Sequence, residues 1–131
     1  MELDWTDGPL ADGLRLYDSG EFFTAHEAWE SVWLKAAEPE KTFLQGLIQV
    51  TAAFRHWQRG NRLGTLLLLQ AGLRRLEVYP AVFGGICVAT LCEEIRECLR
   101  MLERNQKDCL LPSPRIRVYR GTGKRIRLSE P

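Results

Sequence analysis

Residues 42–60, TFLQGLIQVTAAFRHWQRG, constrain the fold more than any other stretch. Phe43, Leu44, Leu47, Ile48, Val50, Phe54 and Trp57 place apolar groups on almost every side of a helix. Such a helix is surrounded by others. One stripe breaks the pattern: Gln45, Gln49 and His56 fall within about 40° of one another at helical spacing. Polar groups on a central helix are costly unless partnered, so the identity of what they face decides the reading.

Four further helices are expected around this one. Asp7-Gly8-Pro9 is a helix start with proline in the first turn, and Asp18-Ser19-Gly20 is a stop, which bounds a helix over 9–18. Residues 21–36, EFFTAHEAWESVWLKA, form a second, with Phe22, Phe23, Trp29 and Trp33 as its apolar face. With His26 at zero, Trp29 lies near about −60°, Phe22 near about −40° and Glu30 near about +40°. On this reading His26 and Glu30 point into the core and Glu27 sits at its boundary. Pro39 separates this helix from the central one. Arg59-Gly60-Asn61 closes the central helix, and Asn61 caps a helix over 62–78 that presents Leu63, Leu66, Leu67, Leu69, Leu73 and Leu76. Residues 81–85 are expected as a loop, and 88–105 as a last helix with Leu91, Ile95, Leu99 and Leu102 on one face. Trp5 precedes the first helix as a docking anchor. Gly20 followed by Ala25 has an echo forty residues later in Gly60 followed by Thr65, each at the turn of a helical hairpin.

The expected fold is therefore all-α: a single-domain bundle of about five helices, built from two helical hairpins plus a C-terminal helix. The bundle is placed at 1–111. Residues 112–131 change character, with Ile116, Val118, Ile126 and Leu128 alternating with basic residues, and are read as a basic tail that is either extended or a hairpin turning at 120–124.

Charge is unevenly spread. Residues 1–50 carry ten acids and three bases, whereas 101–131 carry three acids and eight bases, although the whole chain is only +1. Assembly of copies through these oppositely charged ends is one reading of that asymmetry. No nucleic-acid motif accompanies the basic end, and the acidic half offers a protein partner, so nucleic acid is not the favoured partner. The longest apolar run is too short for a membrane span. Cys87, Cys92, Cys98 and Cys109 lack CxxC spacing and no signal peptide is read, which points to free thiols in a reducing cytoplasm. Cys92 is expected to pack like a small hydrophobe on the last helix.

Chemistry concentrates in two neighbouring helices. A short connection makes them antiparallel neighbours, so His26 and Glu30 can meet Gln45, Gln49 and His56 across one interface. Gly46, Ala52 and Ala53 leave space beside that stripe. HEAWE is an H-E-x-x-E pattern, in which His26 and Glu30 hold one ion from a single helix. His56 would be a third ligand to a divalent transition metal, and Glu27 the general base toward a bound water. The same groups also make a hydrogen-bonded network that fixes helix register. A pocket for a small polar molecule is the third reading.

FFTAHEAWESVW and LQGLIQVTAAFRHWQRGNRLG resemble the small helical bacterial and archaeal proteins grouped as domain of unknown function 309. Their pattern is similar to F-x-x-A-H-E-x-W-E-x-x-W, then Q-G-L-I-Q-x-A-A-A-x-x-H-x-x-x-G-N-x-x-G-A. Its positions fall here on His26, Glu27, Trp29, Glu30, Trp33, Gln45, Gly46, Gln49, His56, Gly60, Asn61 and Gly64. Thr51 and Thr65 stand where the pattern more often has alanine. Cys87 stands where it tends to have aspartate. The resemblance implies an all-helical fold and no established activity. Three functional readings follow: a ligand- or partner-binding module with a polar cluster between the second and third helices, a metal-dependent hydrolase-like enzyme, or a structural network in an oligomer-forming protein.

Overall fold

The computed structural model describes residues 2–104 and 110–120. Helix α1 spans Gly8–Asp18, α2 Phe22–Trp33, α3 Glu40–Gln58, α4 Arg62–Leu76 and α5 Val88–Glu103. The expected all-α architecture stands. Helices α1 and α2 form one antiparallel hairpin, α3 and α4 another, and α5 packs on α4.

The two hairpins close by the same bonds. At the first, Gly20 N–H donates to Tyr17 O and Glu21 N–H to Leu16 O; at the second, Gly60 N–H donates to Trp57 O and Asn61 N–H to His56 O. Gly20 and Gly60 have φ of +82° and +77°. This pairing of 5→2 and 6→1 bonds around a left-handed residue is a Schellman cap, and a side chain there is strained. The forty-residue echo thus reflects one turn used twice.

Helix α3 is the centre of the core. Phe43, Leu44, Leu47, Val50, Ala53 and Phe54 are buried. Each large side chain buried this way contributes about 1.5–3 kcal/mol. Helix α4 meets it through small residues. A Cβ on Gly46 would stand 2.8 Å from Leu76 Cγ, and one on Gly72 3.1 Å from the Gly46 carbonyl. The space beside Gly46 is therefore filled by Leu76. The buried face of α4 is Thr65, Leu69, Gly72 and Leu76. Leu63 and Leu67, expected within its apolar face, are exposed.

The segment after α4 is not a plain loop. Val82–Phe83 (β1) pairs antiparallel with Ile86–Cys87 (β2) across Gly84-Gly85, both at positive φ. Two consecutive left-handed residues suit a two-residue hairpin turn. Trp5 docks here: it is buried, its Nε1–H donates to Gly84 O at 2.7 Å, and its ring meets Trp29 edge-on.

Residues 110–120 run as a strap along α1 and α5. Leu111, Pro114 and Ile116 are buried. Tyr17 Oη–H donates to Pro114 O at 2.6 Å, and Glu94 accepts from Arg115 N–H at 2.8 Å and from Arg117 Nη1 at 3.1 Å. Cys87 N–H donates to Arg117 O and Tyr119 N–H to Gly85 O, so Val118 bridges Ile86 beside the small sheet. The hairpin turn expected at 120–124 lies outside the described residues.

Candidate functional site

The buried face of α2 is Phe22, Ala25 and Trp29. Including Ala25 moves the centre of that face to roughly −65° from His26, so Glu30 lies about 105° away from it. His26 and Glu30 therefore do not point into the core. The His26 side chain is 30% exposed and that of Glu30 48%. His26 Nε2 stands 3.7 Å from Glu30 Oε2, beyond hydrogen-bond length, and a rim ion pair of this kind is worth about 0–1 kcal/mol. Glu27 is exposed one step further round.

The polar stripe of α3 also reaches solvent. Gln45, Gln49, Ala52 and His56 are each half-buried, while Ala53, about 70° round toward α4, is fully buried. Helix α3 lies between α2 and α4, and this stripe is its outward strip. Contacts fix the flanks. Toward α2, the Arg55 guanidinium lies 5.2 Å from the Phe23 ring centre and Lys41 Nζ lies 4.3 Å from that of Trp33. Toward α4, Arg75 Nη1 donates to Gln49 Oε1 at 3.3 Å.

His56 is committed at the α3–α4 turn. Asn61 Oδ1 accepts from Gly64 N–H at 2.9 Å, as an N-cap does. That leaves Asn61 Nδ2 as the donor to His56 Nδ1, 3.0 Å away. An accepting Nδ1 puts the proton of the neutral ring on Nε2. Ligation through either nitrogen would then give up the Asn61 bond, since Nδ1 is engaged in it and ligation through Nε2 moves the proton to Nδ1.

The expected site residues are thus brought to one face but not to one point. His26 and Glu30 line its α2 edge, Gln45, Gln49 and His56 its floor, and Asn61 its end. Among the described residues no three His, Cys, Asp or Glu side chains are grouped to hold a metal ion. His56 does not join His26 and Glu30, and the donor set for a transition metal is not assembled. The expected hydrogen-bonded network between α2 and α3 is divided as well: His56 pairs with Asn61, and Gln49 with Arg75 of α4.

Phe23, expected within the apolar face of α2, is exposed at the edge of this face instead; Arg55 and Arg75 also frame it and were not singled out from the sequence. The signal for Arg75 was present: Leu69, Gly72 and Leu76 set the buried side of α4, and Arg75 falls about 90° from it. Elsewhere on the molecule, a groove of about 550 Å³ lies between the end of α1 and the strap, lined by Tyr17, Asp18, Arg115 and Arg117. Burial raises the Asp18 carboxyl above its ordinary value and Arg115 partly offsets this.

Among the described residues no helix is long and apolar enough to cross a membrane. No curated protein matches the chain. Residues 10–68, from α1 to the middle of α4 and including every polar position of the α2–α3–α4 face except Arg75, match the model of the family described as Domain of unknown function (DUF309), and it is to that family that this stretch of the chain is similar.

Proposed function

We propose that the protein is a helical binding module and that the face formed by α2, α3 and α4 receives a protein partner. One observation carries the reading: His26, Glu30, Gln45, Gln49 and His56 emerge on a single solvent-facing surface, where the core does not need them. The surface has neutral polar and small groups along its floor. Exposed apolar groups stand at its borders, Phe23 on α2 and Leu67 on α4. Exposed aromatic and arginine side chains are enriched where proteins recognise one another. A metal-dependent reaction retains only the His26–Glu30 pair from its expected ligand set, and Glu27, its expected base, lies about 60° further round the helix than Glu30. Free thiols at Cys87 and Cys92 support a reducing, cytoplasmic setting.

Site-specific photocrosslinking tests this. A photoreactive side chain replacing Gln49 in cells should give a discrete adduct of defined mass. The same group replacing Glu97 on α5 should not. The Gln49 adduct should also vanish in Ala52→Arg, whose circular dichroism should match the parent. Equal labelling at both positions, or an adduct indifferent to Ala52→Arg, would overturn the reading.

A further inference from the structure

We infer that the partner on this face is a second copy of the chain, docked about a two-fold axis parallel to α3. The inference rests on the reading of the α2–α3–α4 face as a binding surface and specifies its occupant.

The two walls beside α3 carry opposite charge. Glu27 and Glu30 are exposed on α2, Arg74 is exposed on α4, and Arg75 is half-buried there. Within the protomer these charges are poorly met. Among the described residues Glu30 has only the His26 imidazole at 3.7 Å, and neither arginine has a carboxylate within ion-pair distance. Arg75 instead donates to the neutral amide of Gln49. The central helix stands between these acidic and basic side chains, and the cations on its α2 flank, Lys41 and Arg55, lie over Trp33 and Phe23 and make no ion pair with Glu27 or Glu30 among the described residues.

Symmetry decides how two such faces meet. A two-fold interface is isologous, so each contact occurs twice. An axis running across α3 would lay α2 on α2 and bring carboxylates together. An axis parallel to α3 lays the α2 of one copy over the α4 of the other, acid over base at both edges. The register agrees. Lys41 against Trp33 and Arg55 against Phe23 fix α2 along α3, which places Glu30 near the level of Gln45. Arg75 starts at the level of Gly46, where its Cβ would stand 3.4 Å from a Cβ on that glycine, and its guanidinium reaches one turn further, to Gln49. Glu30 of one copy and Arg75 of the other then stand within about one helical turn, roughly 5 Å, a reach both long side chains have.

The floor is self-complementary as well. Along the axis α3 would meet its own copy through Gln45, Gln49 and Ala52. A glutamine amide both donates and accepts, so it can pair with its symmetry mate. Ala52 adds no bulk that would hold the helices apart.

Sedimentation velocity of the full chain over a concentration series tests the assignment by charge exchange. The wild type should dimerise, more weakly as salt rises. Glu30→Arg and Arg75→Glu should each raise the dimer dissociation constant about tenfold or more, since like charges then oppose one another twice. The double variant Glu30→Arg/Arg75→Glu should recover dimerisation to near wild type. Arg104→Glu, at the end of α5, should leave it unchanged. Circular dichroism confirms the fold of each variant. A wild-type monomer at every concentration overturns the inference, as does a dimer indifferent to the single changes or not restored by the double. A monomer that still gives the Gln49-specific crosslink to another protein would overturn the second copy alone and leave the binding face standing.

Discussion

Trp29 lies against Gly13 so closely that a Cβ on residue 13 would overlap its indole ring. The ring is also tethered, because Nε1–H donates to Leu10 O at 3.1 Å in the buried seam of α1 and α2. Gly13→Ala should therefore destabilise the protein, although alanine is favoured in a helix by about 1 kcal/mol. Overpacking costs about 1–3 kcal/mol, and shifting the ring would also weaken a buried hydrogen bond. Urea denaturation should show a net loss of about 1–2 kcal/mol. A stabilised variant would mean that the seam is looser than described.

The twin hairpin turns give a second prediction. Asn61 caps α4 through its side chain, whereas Glu21, with nearly the same backbone angles, makes no side-chain cap on α2. Glu21→Asn should supply the missing cap and gain about 0.5–1 kcal/mol. Asn61→Ala should lose about 1 kcal/mol and release His56 Nδ1. Thermal unfolding of the two variants should move in opposite directions.

The strap depends on Tyr17. Burial pushes its phenol well above the ordinary range, and the group remains a donor to Pro114 O. Tyr17→Phe leaves that buried carbonyl without its partner, at a cost of about 1–3 kcal/mol. Amide exchange should quicken at Cys87 and Tyr119, whose N–H groups bond between the strap and the small sheet. Unchanged exchange would show that Ile116 and Leu111 hold the strap unaided.

Two carboxylates should respond to pH in opposite senses. Desolvation raises Asp18 above its ordinary value near 3.8, and it also ends α1, where a negative charge opposes the helix dipole. A raised acid contributes stability below its unfolded pKa, and the contribution is lost as pH rises through the folded value. Asp18→Asn should hence match wild type near pH 3 and be more stable at pH 7, by up to about 0.5 kcal/mol. Glu38 is lowered by hydrogen bonds from the Thr42 hydroxyl and N–H. Its contribution is present above the unfolded value and lost on acidification, so Glu38→Gln should be less stable than wild type at pH 7 and converge with it in acid. Denaturation at the two pH values checks both signs.

Metal titration separates His56 from His26. Any zinc taken up by the α2 edge should decline in His26→Ala and be unaffected by His56→Ala, because Asn61 holds that ring elsewhere. Calorimetry on the purified variants reads this directly. Stoichiometric binding abolished by His56→Ala would require a ligand set that the fold does not assemble.

The helices were legible because apolar spacing along α3 and α5 leaves little choice, and because proline and glycine mark their ends. The placement of His26 and Glu30 was misread for a definite reason. Large side chains alone were taken to define the inner face of α2, whereas the fully buried Ala25 pulls that face away from Glu30. The α3 stripe was expected to face α2 across a buried interface and instead faces outward, since which helix flanks it depends on the Gly46–Leu76 and Gly72–Val50 contacts with α4. The β1–β2 pair is too short to show a period. The strap was opaque because Tyr17 and Pro114 lie 97 positions apart and neither signals the other locally.

That separation orders the making of the molecule. Each Schellman-capped hairpin joins neighbours in sequence, so each can form soon after its own residues leave the ribosome, α1 with α2 first. The seam between α1 and α5 is closed by residues 110–120, and none of those residues exists as chain until both hairpins have been synthesised. The strap is thus the last described part of the chain to be made, and its bonds to Tyr17, Glu94 and Cys87 join elements already synthesised.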